Sequence, residues 1–180
     1  MHFHNEARML KWWLPHHLNL FDHGILINHS STDDSVDICR SLAPHWQLVN
    51  TRLSNFNALD NDFEVMRYEA TVEGWKMALN VTEFLVCDPV TLEKTLTQMQ
   101  SNKQLCLKTR GVVMVDCDPS LIANPNNSLI QQKHHGYIEE DYPYFGKSFS
   151  RLRTGYYKYA LKSGLRKKTK GSRNRIIHAH

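Results

Sequence analysis

Three oxygen-bearing side chains, Asn80, Thr82 and Glu83, interrupt an otherwise apolar stretch from Trp75 to Val86. Met77 to Leu79 shows no polar alternation, which fits a strand covered on both faces, and α/β sheets hold ligands at the carboxyl ends of such strands. The competing reading is a strand that runs into a polar turn. Two further groups have the same layout. Asn28-His29-Ser30-Ser31-Thr32-Asp33-Asp34-Ser35 follows Ile25-Leu26-Ile27, and Asn5-Glu6 follows Met1-His2-Phe3-His4. Ordinary turn and helix-cap chemistry is the alternative for both. The histidines offer less. His16-His17 and His134-His135 are adjacent pairs whose side chains diverge on a helix, and His2 and His4 share a strand face without a His-Glu-x-x-His pattern. A metallohydrolase is disfavoured.

The elements that must position these groups alternate. Met1 to His4 reads as a short strand, and Glu6 to Phe21 as a helix with Leu10, Leu14, Leu18 and Phe21 at helical spacing, Trp13 and His17 beside them, and Pro15 as a bend. Gly24 ends that element. Ile25 to Ile27 is a buried-type strand, and the turn after it caps the next helix through Thr32 or Asp33, with Val36, Ile38, Cys39 and Leu42 inward. Trp46 to Thr51 reads as a third strand and Asp60 to Glu73 as a helix with Phe63, Met66, Ala70 and Val72 inward, closed by Gly74. The fourth strand is the interrupted stretch itself. This order argues for a parallel sheet with helices on both faces, an α/β nucleotide-binding architecture. Asp88-Pro89 starts another helix, Gly111 to Val115 reads as a strand, and Asp118 to Asp141 as loop.

At 180 residues and 41% hydrophobic, the chain suits one domain with an ordinary core. Cys39, Cys87, Cys106 and Cys117 lack Cys-x-x-Cys spacing and read as reduced core thiols. No apolar run spans a membrane and no signal peptide leads the chain, so a cytoplasmic protein is the simplest inference. Charge divides sharply by position. Residues 142–180 hold 11 of the 22 Lys and Arg and no acid, so this segment carries +11 and the body −7. Aromatics interleave with the bases at Tyr142 to Lys147 and Tyr156 to Tyr159. Such a face suits polyanions: nucleic acid, an anionic membrane surface or the phosphates of a nearby ligand. A merely solvated basic tail is the alternative. The bare start and the end just after Ile176-Ile177 suggest a fragment of a longer protein.

His4-Asn5-Glu6-Ala7, Trp13-Leu14-Pro15-His16-His17, Asn28 to Ser35 and Asn80-Val81-Thr82-Glu83-Phe84, in that order, resemble glycosyltransferase family 2, and more narrowly its family 92-like branch. The resemblance is good from Met1 to about Val86 and looser afterwards. It implies a glycosyltransferase A-type, Rossmann-like sheet over residues 1–141 that binds a nucleotide-sugar donor, with segment 142–180 packed on the same domain. Where the family carries two aspartates, this chain has Asn80 and Thr82.

What the resemblance implies for the site falls into three parts. Asn5, Glu6, Asn28 and Ser31, with Asp33 in reach, bind the donor. Departure of the diphosphate needs positive charge, from Mn²⁺ or Mg²⁺ held by Glu83 with Asn80 and a late histidine, His178 or His180, or else from Lys147, Arg151 and Arg153. Arg67 faces a phosphate or makes a surface salt bridge. Asp141 or Glu140 is the catalytic base, plain solvated acids being the alternative. The acceptor, whether saccharide, lipid or protein, is unspecified, and no nucleic-acid partner is expected on this reading. Two other functions stand beside it: a catalytically impaired binding module of the same fold, and a nucleic-acid-binding protein using the basic tail.

Overall fold

The computed structural model describes residues 1–109, 111–118, 120, 122–137 and 148–150. These fall into two compact units, one drawing on residues 1–52, 80–86, 112–118, 120 and 122–137, the other on residues 53–79, 87–109, 111 and 148–150.

The first unit opens as the apolar pattern dictates: β1 (His2–Phe3), α1 (Ala7–His17), β2 (Ile25–Asn28), α2 (Ser35–Leu42) and β3 (Gln47–Asn50). The three strands form a parallel sheet in the order β1-β2-β3. Backbone bonds continue the ladder past β1, from Ile27 N–H to Met1 O (2.8 Å) and from His29 N–H to Phe3 O (2.8 Å). Successive crossovers that step in one direction with the usual hand place their helices on one face. In agreement, α1 and α2 pack against each other. Leu10 and Leu14 of α1, Leu26 and Ile27 of β2 and Cys39 of α2 are buried, and Trp12, Trp13 and Trp46 complete the core. Each fully buried aliphatic side chain contributes about 1.5–3 kcal/mol. Leu42, expected inward, is exposed. It ends α2, and Ala43 is buried in its place.

After β3 the chain enters the second unit with α3 (Ala58–Glu69), α4 (Pro89–Ser101) and β4 (Cys106–Lys108). Asn57 caps α3, its Oδ1 accepting from Leu59 N–H (2.9 Å) and Asp60 N–H (3.3 Å). The buried face of α3 is not the expected apolar stripe, because Asn61, Asp62, Glu64 and Glu69 are buried. Phe63 and Met66 are half-buried and Ala70 exposed. The helix stops at Glu69, where Lys76 Nζ donates to the carbonyls of Glu69 and Val72, so Ala70 and Val72 never join a helical face. Gly74 follows with φ +83°, a conformation that glycine adopts without strain. At α4 the expected start holds: Asp88 Oδ2 accepts from Thr91 N–H (2.8 Å), with Pro89 at the first helical position.

The fourth parallel strand does not form. Residues 77–80 and 83–88 belong to no strand or helix, and Val81 and Thr82 make a turn. Among the described residues the parallel sheet has three strands. Back in the first unit, β5 (Val113–Val115) pairs antiparallel with β6 (His135–Tyr137), and α5 (Leu129–Gln132) lies between them in sequence, inside a stretch expected to be loop. In the second unit β7 (Ser148–Ser150) pairs antiparallel with β4. The fold is α/β, with a small parallel sheet, helices and two antiparallel strand pairs. All four cysteines are free thiols. Burial pushes the Cys39 thiol up to about 11, whereas Cys117 is exposed rather than in the core. No helix among the described residues is long and apolar enough to cross a membrane.

Gly24 marks the closest approach in the core. A Cβ there would lie 2.2 Å from Cε3 of Trp46, while Gly24 O accepts from Gln47 N–H (2.9 Å) and fixes the entry to β3. Gly24→Ala is therefore expected to lower stability by about 1–3 kcal/mol through overpacking. Urea denaturation followed by tryptophan fluorescence reads that loss, and an unchanged midpoint would contradict this packing.

Candidate functional site

The carboxyl ends of β1 and β2 open into loops that hold each other. Asn5 has φ +52° and Ser30 φ +54°, left-handed conformations that asparagine tolerates better than most residues. Asn5 is secured on both sides: its N–H donates to Ser31 Oγ (3.0 Å) and its Oδ1 accepts from Thr32 N–H (2.7 Å). Glu6 N–H donates to Ser35 Oγ (2.8 Å) and Ala7 N–H to Asp33 Oδ2 (3.0 Å). These are first-turn donors of α1 that no intrahelical carbonyl can satisfy, so the loop after β2 caps the helix after β1. Asp33 Oδ1 also accepts from Ser35 N–H (3.0 Å) at the start of α2.

Further into the edge, Asn28 is buried at 7% exposure. Its Oδ1 accepts from Ser31 N–H (2.9 Å), and its Nδ2 donates to Oδ1 of Asn50 at the end of β3 (3.0 Å). His4 Nδ1–H donates to the His29 carbonyl (2.6 Å), which sets its tautomer and leaves Nε2 to accept from Asn5 Nδ2 (3.4 Å). The His2 and His4 rings stand 5.2 and 6.2 Å from that of His29.

The two carboxylates of this edge are unlike. Burial opposes ionisation of Asp33, but bonds from the Ser35 hydroxyl and from the Ala7 and Ser35 N–H groups outweigh it and hold its carboxyl below the usual range. Burial and the neighbouring Asp33 charge raise the pKa of Glu6, with His4 pulling the other way. Among the described residues the Glu6 carboxylate makes no hydrogen bond. Asp33 is a structural cap, and the Glu6 carboxylate takes no part in the capping.

The segment with Asn80, Thr82 and Glu83 closes on itself. Glu83 Oε2 accepts from Asn80 N–H (2.6 Å) and Asn80 O from Glu83 N–H (3.0 Å). Four of its backbone groups meet side chains of α1. Trp13 Nε1–H is shared between the carbonyls of Asn80 (3.1 Å) and Glu83 (2.9 Å), His16 Nε2–H donates to Leu85 O (2.6 Å), and Leu85 N–H donates to His17 Nε2 (3.2 Å). One helix thus supplies the partners that a neighbouring strand was expected to supply.

The structure therefore brings Asn5, Glu6, Asn28, Ser31 and Asp33 together at one sheet edge and places Asn80 and Glu83 in a turn against α1. Arg67 is exposed on α3 in the second unit. Lys147, Arg151, Arg153, Glu140, Asp141, His178 and His180 lie outside the described residues. No three His, Cys, Asp or Glu side chains among the described residues stand together as a metal shell. Sequence reading missed His4, Ser35 and Asn50. Asn50 carries the same signal as Asn28, a polar residue directly after an apolar strand, and was legible on that ground. In comparison with known proteins, no family model and no curated protein matches the chain.

His17 ties this arrangement to pH. It is fully buried, with Nδ1–H donating to Trp13 O (2.9 Å) and Nε2 accepting from Leu85. Burial pushes the imidazole down to about 3, the Trp13 bond opposing and the nearby His16 adding to the shift. The native state thus holds His17 neutral, while the unfolded chain takes a proton near 6.5. The stability it contributes is complete above that value and is lost as pH falls toward 3, at about 1.4 kcal/mol per pH unit. From pH 7 to pH 5 the wild type should lose about 2 kcal/mol more than His17→Phe. Parallel pH profiles in chemical denaturation would show instead that His17 is not the group titrating.

Proposed function

We propose that the chain is a glycosyltransferase that takes a sugar from a nucleotide-diphosphate donor, with the donor's nucleoside at the carboxyl edge of β1 and β2. The observation that carries this reading is the Glu6 carboxylate, held open by a network in which Asn5, Ser31, Asp33 and Ser35 are all engaged. A carboxylate acceptor beside the half-satisfied amide of Asn28 fits the N–H groups of a base and the hydroxyls of a ribose. On this reading Asp141 or Glu140 is the base that deprotonates the acceptor hydroxyl. The diphosphate is met by Lys147 and Arg151, with Arg67, or by Mn²⁺ or Mg²⁺ on Glu83, Asn80 and His178. The described part of that cation site offers one carboxylate, whose Oε2 is already bonded to Asn80 N–H. A cytoplasmic setting and contact of the basic segment with an anionic membrane surface belong to the same proposal.

A second reading, a binding module of this fold without transferase activity, is favoured by a specific feature. Asn80 and Thr82 stand where the family carries carboxylates, and Glu83 is turned back onto the backbone N–H of Asn80. A nucleic-acid-binding role rests on the basic segment alone, which lies outside the described residues.

Calorimetric titration with UDP and GDP, first with Mn²⁺ and then with EDTA, separates these. Micromolar binding is expected, weakened about 10- to 100-fold in Glu6→Gln, since a hydrogen bond to a charged group is worth about 1.5–3 kcal/mol. Loss of binding in EDTA and in Glu83→Ala would assign the cation to Glu83, and insensitivity to EDTA would assign the charge to the basic residues. Nucleotide binding without hydrolysis or transfer of the sugar supports the binding module. A folded protein that binds neither nucleotide is incompatible with the donor site.

A further inference from the structure

Asn28 and Asn50 are paired residues of neighbouring parallel strands, and Thr51 N–H donates to Asn28 O (2.8 Å) just beyond the pair. A side-chain amide has one acceptor end and one donor end, and which end points where decides what it can read. At Asn28 both ends are fixed: Ser31 N–H engages Oδ1, and Asn50 Oδ1 engages Nδ2. Turning the amide over would set two donors against each other at Ser31, so the Ser31 N–H fixes its direction. Asn50 Oδ1 holds the Nδ2 end in place. The effect travels further, because Ser31 also holds Asn5 N–H and Asn5 precedes Glu6. Asn50 itself is exposed, and its Nδ2 makes no hydrogen bond among the described residues.

We infer that Asn50 is a positioning residue for the nucleoside part of the donor, acting through the amide of Asn28 to fix one donor and one acceptor at the sheet edge. This rests on the nucleotide reading of the same edge and extends it to a strand that reading does not use. The ligand class is an uncharged one with interleaved donors and acceptors, a base or ribose. Changes at Asn50 therefore act on uridine as strongly as on UDP.

The test measures uridine and UDP binding to the wild type, Asn50→Leu and Asn50→Asp, at a temperature where circular dichroism shows all three folded. Asn50→Leu removes the acceptor that holds the Nδ2 end of Asn28 and should weaken uridine and UDP equally, by about tenfold. Asn50→Asp keeps an acceptor for Asn28 Nδ2 and should hold uridine within about threefold of the wild type. As a ligand-free check, the Asn28 side-chain NH₂ resonances in a nitrogen-15 correlation spectrum should shift in Asn50→Leu and stay in Asn50→Asp. Wild-type binding with an unaffected Asn50→Leu, or an Asn50→Asp variant as weak for uridine as Asn50→Leu, overturns this inference alone. A wild type that binds neither uridine nor UDP overturns the nucleotide reading and this inference with it.

Discussion

One carboxylate holds the amino ends of two helices. Asp33 accepts from Ala7 N–H with one oxygen and from Ser35 N–H with the other, so α1 and α2 begin at a common point. A cap of this kind contributes about 0.5–2 kcal/mol. Its larger consequence is geometric. Because the cap of α1 comes from the loop after β2, neither loop can shift without exposing first-turn N–H groups of a helix, and Asn5 and Ser30 can be kept in left-handed conformations. The open Glu6 carboxylate depends on this division of labour. Glu6 does not cap its own helix; Asp33 and Ser35 take that role.

The same satisfaction of backbone groups explains the missing strand. Residues from Trp75 to Val86 have the apolar character of a buried strand, and apolar character was read correctly, since Leu79, Val81 and Leu85 are buried. Burial does not specify the hydrogen-bond partner. A ladder with a neighbouring strand is one way to pair the N–H and C=O groups of a buried segment, and side chains that donate or accept are another. Trp13, His16 and His17 on α1 are such a set, and His16 and His17 between them take both backbone groups of Leu85. Adjacent histidines were discounted because their side chains diverge on a helix. That divergence is what lets them reach one residue from two sides.

Legibility in the sequence followed the range of the interaction. Elements fixed by local chemistry were readable: the Ile25 to Ile27 strand, the Asp88-Pro89 helix start, and the polar turns that close the first two strands. The α3 face was not, because Asn61, Asp62, Glu64 and Glu69 are buried by their surroundings and no periodicity of apolar residues could announce it. Within the site, Asp33 was readable as a cap but for the helix that follows it. Its bond to Ala7 joins residues 26 apart in sequence. Asn50 was passed over because it was weighed as a strand end and not as the partner of Asn28 in a parallel register.

The edge also constrains how a nucleotide diphosphate would have to lie on the proposed reading. Its network contributes amides, hydroxyls, the His4 imidazole and two carboxylates, of which Asp33 is held below the usual carboxylate range and Glu6 sits beside it. Bringing phosphate oxygens to that corner sets like charges against Asp33, which is exposed, and Glu6, which is half-buried and less screened by water. The nucleoside can occupy the corner and the diphosphate cannot, so the phosphates must point away from Glu6. The chain's own charge distribution has the same polarity, −7 up to Asp141 and +11 after it. An acidic body would repel a free nucleotide diphosphate, and compensation by a cation or by the basic residues is then a requirement of binding itself. On that reading, donor affinity and leaving-group stabilisation would fall to the same charges, and recognition of the nucleoside to the amides and the carboxylate of the edge.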